Sequence, residues 1–382
     1  MLITSKNVSS GRWSRTLAAL VIGALALTVS ACTSSDGSDS SSGQGAHVPA
    51  ATAALAPYTG HSSAFPLTEP LSRPVPAGKR FVYLQCSAQA CAVAGKQLAK
   101  AVAALHGTFR TVNSGANPSS AQAAVSSVLS MKPDVVFAAG IEPSTYGDGL
   151  NRMARAGIKI VTFSIADATK PYGITFNYMG ASFYKRAGRL LADWVLSTKG
   201  TKANVGFYGV PEVSFTSYLQ DAFVQEMKKH CAGCAVHIGS VGVATLGSTA
   251  PQRVVTDLQA HPEINTVVLS TGNLAAGVPA AMGTAGLKLA TITFTPQAVN
   301  LQDIKDGKIT AGLAVDYAVS VWTAVDAAAR LLQGGEPTPQ EVEGNTPMQL
   351  LTQKDITFDP TLGWSGFPDY AKRFNALWKT GS

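Results

Sequence analysis

The sequence predicts an α/β fold of two lobes, each a doubly wound parallel sheet. Three observations predict it. From residue 79 onward, strand-like and helix-like segments alternate, the order that builds a parallel sheet covered by helices on both faces. Some strand segments, such as 134–139 from its second residue on, are continuously and not alternately apolar, as strands covered on both faces must be. The alternation then runs through a second block that begins near residue 181. The 382 residues are 46% apolar and only 14% charged, so the chain must bury its apolar surface in large cores.

In the first block, 80–84 reads as a strand, 88–105 as a helix rich in Ala, Leu and Lys, and 108–112 as the next strand. Asn117-Pro118-Ser119-Ser120 opens a helix with Pro in its first turn, running to about Met131. The strand 134–139 follows, then a helix over 146–156 that stops at Gly157, and a strand over 159–163. In the second block, helices are expected over 181–198, 216–229, 249–260, 275–285 and 297–306. Strands are expected over 204–208, 235–241, 266–269, 289–294 and 309–315. Right-handed crossovers then fix most of the topology.

The chain opens with an export signal. Lys6, Arg12 and Arg15 precede an apolar run over 17–29 that is too short to serve comfortably as a membrane span of ~20 residues. The run ends in Val29-Ser30-Ala31-Cys32, which resembles a bacterial lipobox. That reading makes Cys32 a lipidated N-terminus, held at a membrane surface by acyl methylenes worth ~0.8 kcal/mol each. The alternative is an ordinary secretory signal with an incidental cysteine. Residues 33–45 are nearly all Ser, Gly and Asp, a flexible tether, and 46–77, rich in Pro and Ala, reads as an extended linker, so that 32–78 carries no fold of its own. Without residues 1–31 the basic count falls from 30 to 27 against 23 acidic residues, a net +4 with no basic cluster of the kind nucleic acids need.

Four further cysteines form two close pairs, Cys86/Cys91 and Cys231/Cys234, and an even count outside the cytoplasm suggests disulfides. Cys231-Ala-Gly-Cys234 has redox-motif spacing, but it follows a helix instead of opening one. A structural staple fits better than a low-pKa thiol site. His47, His61, His106, His230, His237 and His261 are scattered, so neither a metal nor a cofactor is expected.

The chain resembles the type I periplasmic-binding-protein family, in its sugar-binding, ribose-binding-protein-like branch. The resemblance spans roughly residues 79–359. It rests on the strand-loop-helix from Phe81, the Asn117-Pro118 helix start, the strand from Gly157 to Phe163, and Ala187-Gly188 in the long helix. His261-Pro262-Glu263-Ile264 and Ile304-Lys305-Asp306-Gly307-Lys308-Ile309 complete it. It implies a three-strand hinge near Phe176-Asn177, Ala314–Asp316 and Leu350–Thr352. One lobe then holds 79–176 with 316–347, the other 177–315 with 348–360, and 361–382 forms an aromatic tail. Tyr370, Phe374, Leu377 and Trp378 suit a short amphipathic helix packed on a lobe. The solute would lie between the lobes at the carboxyl ends of the strands and be trapped as they close.

At the positions where the sugar binders carry their ligand groups, this chain differs. Aromatic residues of the first strand-helix loop are replaced by Gln85, Ser87 and Gln89, in a loop that a Cys86–Cys91 bridge would rigidify. An Asp-Arg pair becomes Ser164-Ile165, an arginine becomes Ser217, and an Asn-Asp pair becomes Thr271-Gly272. An Asp becomes Thr295 and the hinge Gln becomes Val315. A buried sugar hydroxyl left unpaired costs ~1–3 kcal/mol, so this set predicts a ligand less polar than ribose. Glu142, Asp316 and Asn273 are further polar candidates, with Asn273 better placed to cap the helix beginning at Leu274. Tyr146, Phe163, Phe176, Tyr178, Phe215, Phe294 and Tyr317 are the nearby aromatics. Phe163 and Phe294 are as compatible with core as with ligand contact, and Phe215 and Tyr317 are better cleft candidates.

The resemblance implies a monomeric receptor that delivers a small molecule to ABC permease subunits, anchored to the outer face of the cytoplasmic membrane through Cys32. The alternative is the ligand-binding subunit of a membrane sensor. An enzyme is not expected: the chain has no Gly-x-Ser-x-Gly elbow, no His-Glu-x-x-His helix and no Gly-Lys-Ser/Thr phosphate loop.

Overall fold

The computed structural model describes residues 46–87, 89–115, 117–166 and 172–380. The expected signal sequence, Cys32 and the Ser/Gly segment lie outside these residues. Residues 43–382 form one compact unit.

The first sheet has five strands in the order β2-β1-β3-β4-β5, all parallel. They are β1 (Arg80–Cys86), β2 (Thr108–Gly115), β3 (Val135–Ala139), β4 (Lys159–Phe163) and β5 (Phe176–Tyr178). The second has six: β6 (Asn204–Gly209), β7 (Ala235–Ser240), β8 (Thr266–Leu269), β9 (Ala290–Phe294), β10 (Ala311–Val315) and β11 (Met348–Leu351). Their order is β11-β10-β9-β8-β6-β7, with only β11 antiparallel. Both sheets thus share one doubly wound pattern, reversing direction between β1 and β3 and again between β6 and β8.

Helices cover both faces of each sheet. Phe81 and Tyr83 of β1 face α2 (Gln89–Ala104) and α11 (Tyr317–Leu332), whereas Val82 and Leu84 face α3 (Pro118–Met131) and α4 (Gly149–Arg155). In the second lobe α5 (Ala181–Lys199) and α6 (Ser214–His230) take one face. The other is covered by α7 (Ala250–Ala260), α8 (Gly272–Ala275), α9 (Val278–Thr284) and α10 (Ala298–Lys305). β3, β8 and β10 are buried along their whole length, as their unbroken apolar runs require. The helix expected over 275–285 starts only at Val278, as α9, because Gly277, whose φ of +81° only glycine adopts without strain, separates it from the short α8. α5 and α6 cross closely at Gly188, where an added Cβ would lie 2.2 Å from the Leu219 carbonyl oxygen.

The chain first crosses between lobes after β5, at Met179-Gly180, and returns at Asp316 between β10 and α11. The third crossing lies between α11 and β11, just ahead of Met348. After α12 (Pro339–Val342) the chain reaches the second sheet by Met348, because β11 pairs with β10 from Met348 to Leu351.

Residues 46–77 are not the extended linker that their Pro and Ala content suggests. α1 (Pro49–Leu55) packs on α5 of the second lobe through buried Ala51 and Leu55. Thr59 bridges to Leu350 of β11, Ser63 N–H donates to the Met348 carbonyl, and Leu67, Leu71 and Val75 are buried. Leu71 N–H donates to the Leu377 carbonyl of α13 (Tyr370–Trp378), which lies on α11. Small apolar residues scattered among prolines give no periodicity, yet each fills a notch on a surface built later in the chain.

Candidate functional site

The carboxyl ends of the strands in the two sheets face each other, and the points where strand order reverses come into direct contact. Glu142 follows β3 and Ser214 opens α6 after β6. The Ser214 hydroxyl donates to Glu142 Oε1 across the lobes. Tyr184, in the first turn of α5, and Ser164 after β4 also approach each other across the lobes. Burial raises the Tyr184 phenol well above the ordinary tyrosine value, and the nearby Ser164 hydroxyl opposes that shift only in part. Tyr184 stacks on Phe215 with ring centroids 4.5 Å apart, and both lie edge-on to Phe294.

The first loop is pinned as expected. Cys86 and Cys91 are bonded, and the bridge sits over the end of β3, where a Cβ on Gly140 would meet Cys91 Sγ at 3.1 Å. Gln85 is half-buried, with its carbonyl accepting from the Ser114 hydroxyl, and Ser87 is exposed. Gln89 opens α2, but its side chain lies outside the described residues. Cys231 and Cys234 are also bonded, in the turn between α6 and β7, as a staple would be.

Ser164 and Thr295 occupy matching places, one residue beyond β4 and β9, and both have left-handed backbones (φ +57° and +47°). A β-branched residue rarely tolerates that region, so Thr295 carries backbone strain of ~1–3 kcal/mol at the mouth of the cleft. Such strain persists where surrounding structure holds it, and here it turns both side chains off the ends of their strands.

Several candidates have other roles. Phe163 is fully buried and packs beside Tyr83, with centroids 6.3 Å apart, so it belongs to the core. Asp316 is neither a free acceptor nor a solvated charge. Its Oδ1 caps α11 through Val319 N–H at 3.1 Å, and its Oδ2 accepts from the Ser365 hydroxyl (2.8 Å) and from Gly366 N–H (2.9 Å). Burial raises its pKa, which these bonds only partly offset. Asp316 therefore fastens the aromatic tail to the hinge. Thr271 is the cap of α8, accepting from Leu274 N–H at 3.1 Å, the role expected of Asn273. Asn273 instead accepts from Gln297 Nε2 at 2.7 Å. Ser217 is exposed and donates to the Ser214 carbonyl. Tyr317 opens α11 at the hinge and remains half-buried.

Tyr184, Ser214, Tyr83 and Ser270 went unnoticed in the sequence. Tyr184 and Ser214 sit in first helical turns and carry no motif. The signal available was positional, since the first turn after a strand end faces the cleft in this topology. Tyr83 Oη and Ser270 Oγ are buried without a hydrogen-bond partner.

The family model for the periplasmic binding protein domain matches residues 85–336. The chain belongs to that family. Membership sets it among solute-binding proteins and not among enzymes. Solved structures share the fold at low identity. A periplasmic ribose ABC transporter protein from Conexibacter woesei is 17% identical, covers 77% of this chain and 98% of its own, and has a TM-score of 0.64. A solute-binding protein from Agrobacterium vitis, solved with bound allitol, is 19% identical, with 74% and 98% covered and a TM-score of 0.63. One from Burkholderia graminis, in complex with D-arabinose, is 17% identical, with 74% and 98% covered and a TM-score of 0.64. No curated protein matches the chain. No helix among the described residues is long and apolar enough to cross a membrane.

Proposed function

We propose that this periplasmic-binding-protein family member is the solute receptor of an ABC importer, carried outside the cytoplasmic membrane on a lipid at Cys32. Its ligand has an apolar, planar or alicyclic face and one or two polar groups, and is not a free pentose. The observation that carries the ligand reading is the aromatic platform of Tyr184, Phe215 and Phe294 where the lobes meet. The strand and helix ends beside it carry Ser164, Ser214, Thr295 and one carboxylate, Glu142. Offset rings stack on flat apolar faces at ~0.5–1.5 kcal/mol beyond area burial. Hydroxyls supply a few directed bonds, without the paired charges that a polyhydroxylated ring demands. The buried hydroxyls of Tyr83 and Ser270 each cost ~1–3 kcal/mol unpaired, which favours a ligand or bridging water that satisfies them.

Opening the lobes breaks the Ser214–Glu142 bond, separates Tyr184 from Ser164 and bares the platform. Closing re-forms an enclosed site, so binding and closure are one equilibrium. The test is a thermal-shift screen of residues 43–382 against pentoses, hexoses, polyols, aromatic acids and alicyclic solutes. A ligand at 100 times its Kd stabilises by ~2.7 kcal/mol, a shift of a few degrees. An apolar-faced solute should raise the melting temperature, and Phe215→Ala should weaken that response at least tenfold. A response to pentoses alone would refute the ligand class, and a response unchanged in Phe215→Ala would refute the platform.

A further inference from the structure

The imidazoles of His237 and His261 lie 24 positions apart in the sequence, but the second lobe stacks them with ring centroids 3.9 Å apart. His237 projects from β7, the edge strand, and His261 caps the carboxyl end of α7. Asp257, one helical turn before His261, takes both rings on its carboxylate. His237 Nε2 lies 2.8 Å from Oδ2 and His261 Nε2 3.9 Å from Oδ1. One ligand atom from each of the three lies within 4.8 Å of the others, and all three side chains are about one-third exposed.

We propose that His237, Asp257 and His261 form a binding site for one transition-metal dication of the Zn²⁺ or Co²⁺ type. Two imidazoles and a carboxylate suit such borderline ions and not Ca²⁺ or Mg²⁺, which take all-oxygen sets. Tetrahedral zinc, with bonds of about 2.0–2.2 Å, sets its ligands roughly 3.3 Å apart. Small side-chain rotations bring the present atoms to that spacing, and partial exposure permits them.

The surrounding groups fit the same role. Glu263 Oε1 lies 3.3 Å from His261 Nδ1, so a carboxylate holds the remote nitrogen and leaves Nε2 toward Asp257. The Tyr208 hydroxyl donates to Asp257 Oδ2 at 2.8 Å. A carboxylate behind a ligating histidine and a hydrogen bond behind a ligating carboxylate are the usual outer partners of metal sites. Three protein ligands leave a fourth position for water. The scattered histidines gave no metal-site spacing in the sequence, because one ligand comes from a strand and two from the helix that follows it. α7 runs back from the end of β7 to the start of β8, so its carboxyl end lies at the end of the lobe opposite the cleft. The site is therefore separate from solute capture.

The test uses untagged residues 43–382, titrated with Co²⁺ and followed by visible absorption, then by Zn²⁺ competition. One equivalent of Co²⁺ should give a d–d spectrum of low coordination number that Zn²⁺ abolishes. Zn²⁺ should raise the melting temperature and Ca²⁺ should not. His237→Ala and His261→Ala should each weaken binding at least tenfold, with unliganded melting temperatures checking that each variant folds. Absence of stoichiometric binding overturns the proposal, as does unchanged affinity in the folded double variant.

Discussion

Replacing Glu341 by glutamine should flatten the dependence of stability on pH above neutrality. Glu341, on α12, is buried beside Asp326 and Arg330 of α11. Arg330 Nε lies 2.7 Å from Asp326 Oδ2 and 3.5 Å from Glu341 Oε2, so two carboxyls share one guanidinium. Asp326 also accepts from Trp378 Nε1 at 2.6 Å, whereas Glu341 accepts from Thr338 N–H at 2.6 Å. Burial, and then the charge of Asp326, push Glu341 up to about 9 from its ordinary 4.5.

A raised folded-state pKa means that the folded chain holds one proton more than the unfolded chain between these values. Its stabilising effect is complete below pH 4.5 and is lost as pH rises through 9. The slope over that range is about −1.4 kcal/mol per pH unit. Asp193, raised to about 6 first by burial and then by Glu226, contributes only near and below that pH. From pH 6.5 to 8.5 the wild type should therefore lose about 3 kcal/mol that Glu341→Gln retains. Glutamine still accepts from Thr338, and every other group is the same in the two proteins. Thermal melts of both across this range would show curves that diverge by several degrees. Parallel curves would refute a neutral Glu341.

Two further substitutions probe the packing that positions the cleft. Gly188→Ala sets a methyl 2.2 Å from the Leu219 carbonyl and forces α5 and α6 apart, for a loss of about 2–3 kcal/mol in chemical denaturation. Because α5 carries Tyr184 and α6 carries Phe215, the same variant should bind solute more weakly. Trp378→Phe removes the donor to Asp326 and part of the ring stacked on Trp322, and should cost about 3 kcal/mol by the same measurement.

The sequence by itself determined the two-sheet α/β architecture. Strands buried on both faces must be apolar throughout, and helices packed on a sheet must be amphipathic, so β3, β4, β8 and α5 are visible as local patterns. It also determined the pairing of cysteines three and five residues apart, where no distant partner competes. Tertiary structure alone decided the role of 46–77, whose buried leucines acquire meaning only against α5, β11 and α13. Tertiary structure likewise decided that Asp316 anchors the tail, because its partners lie some 50 residues later and nothing local marks them. The residues of the proposed cleft divide in the same way. The places of Ser164 and Thr295, one residue beyond β4 and β9, were legible because strand ends are fixed by hydrophobic runs. Tyr184 on Phe215, Ser214 on Glu142 and His237 beside His261 were not, since each pair joins elements brought together only by the crossovers and the closing of one lobe on the other.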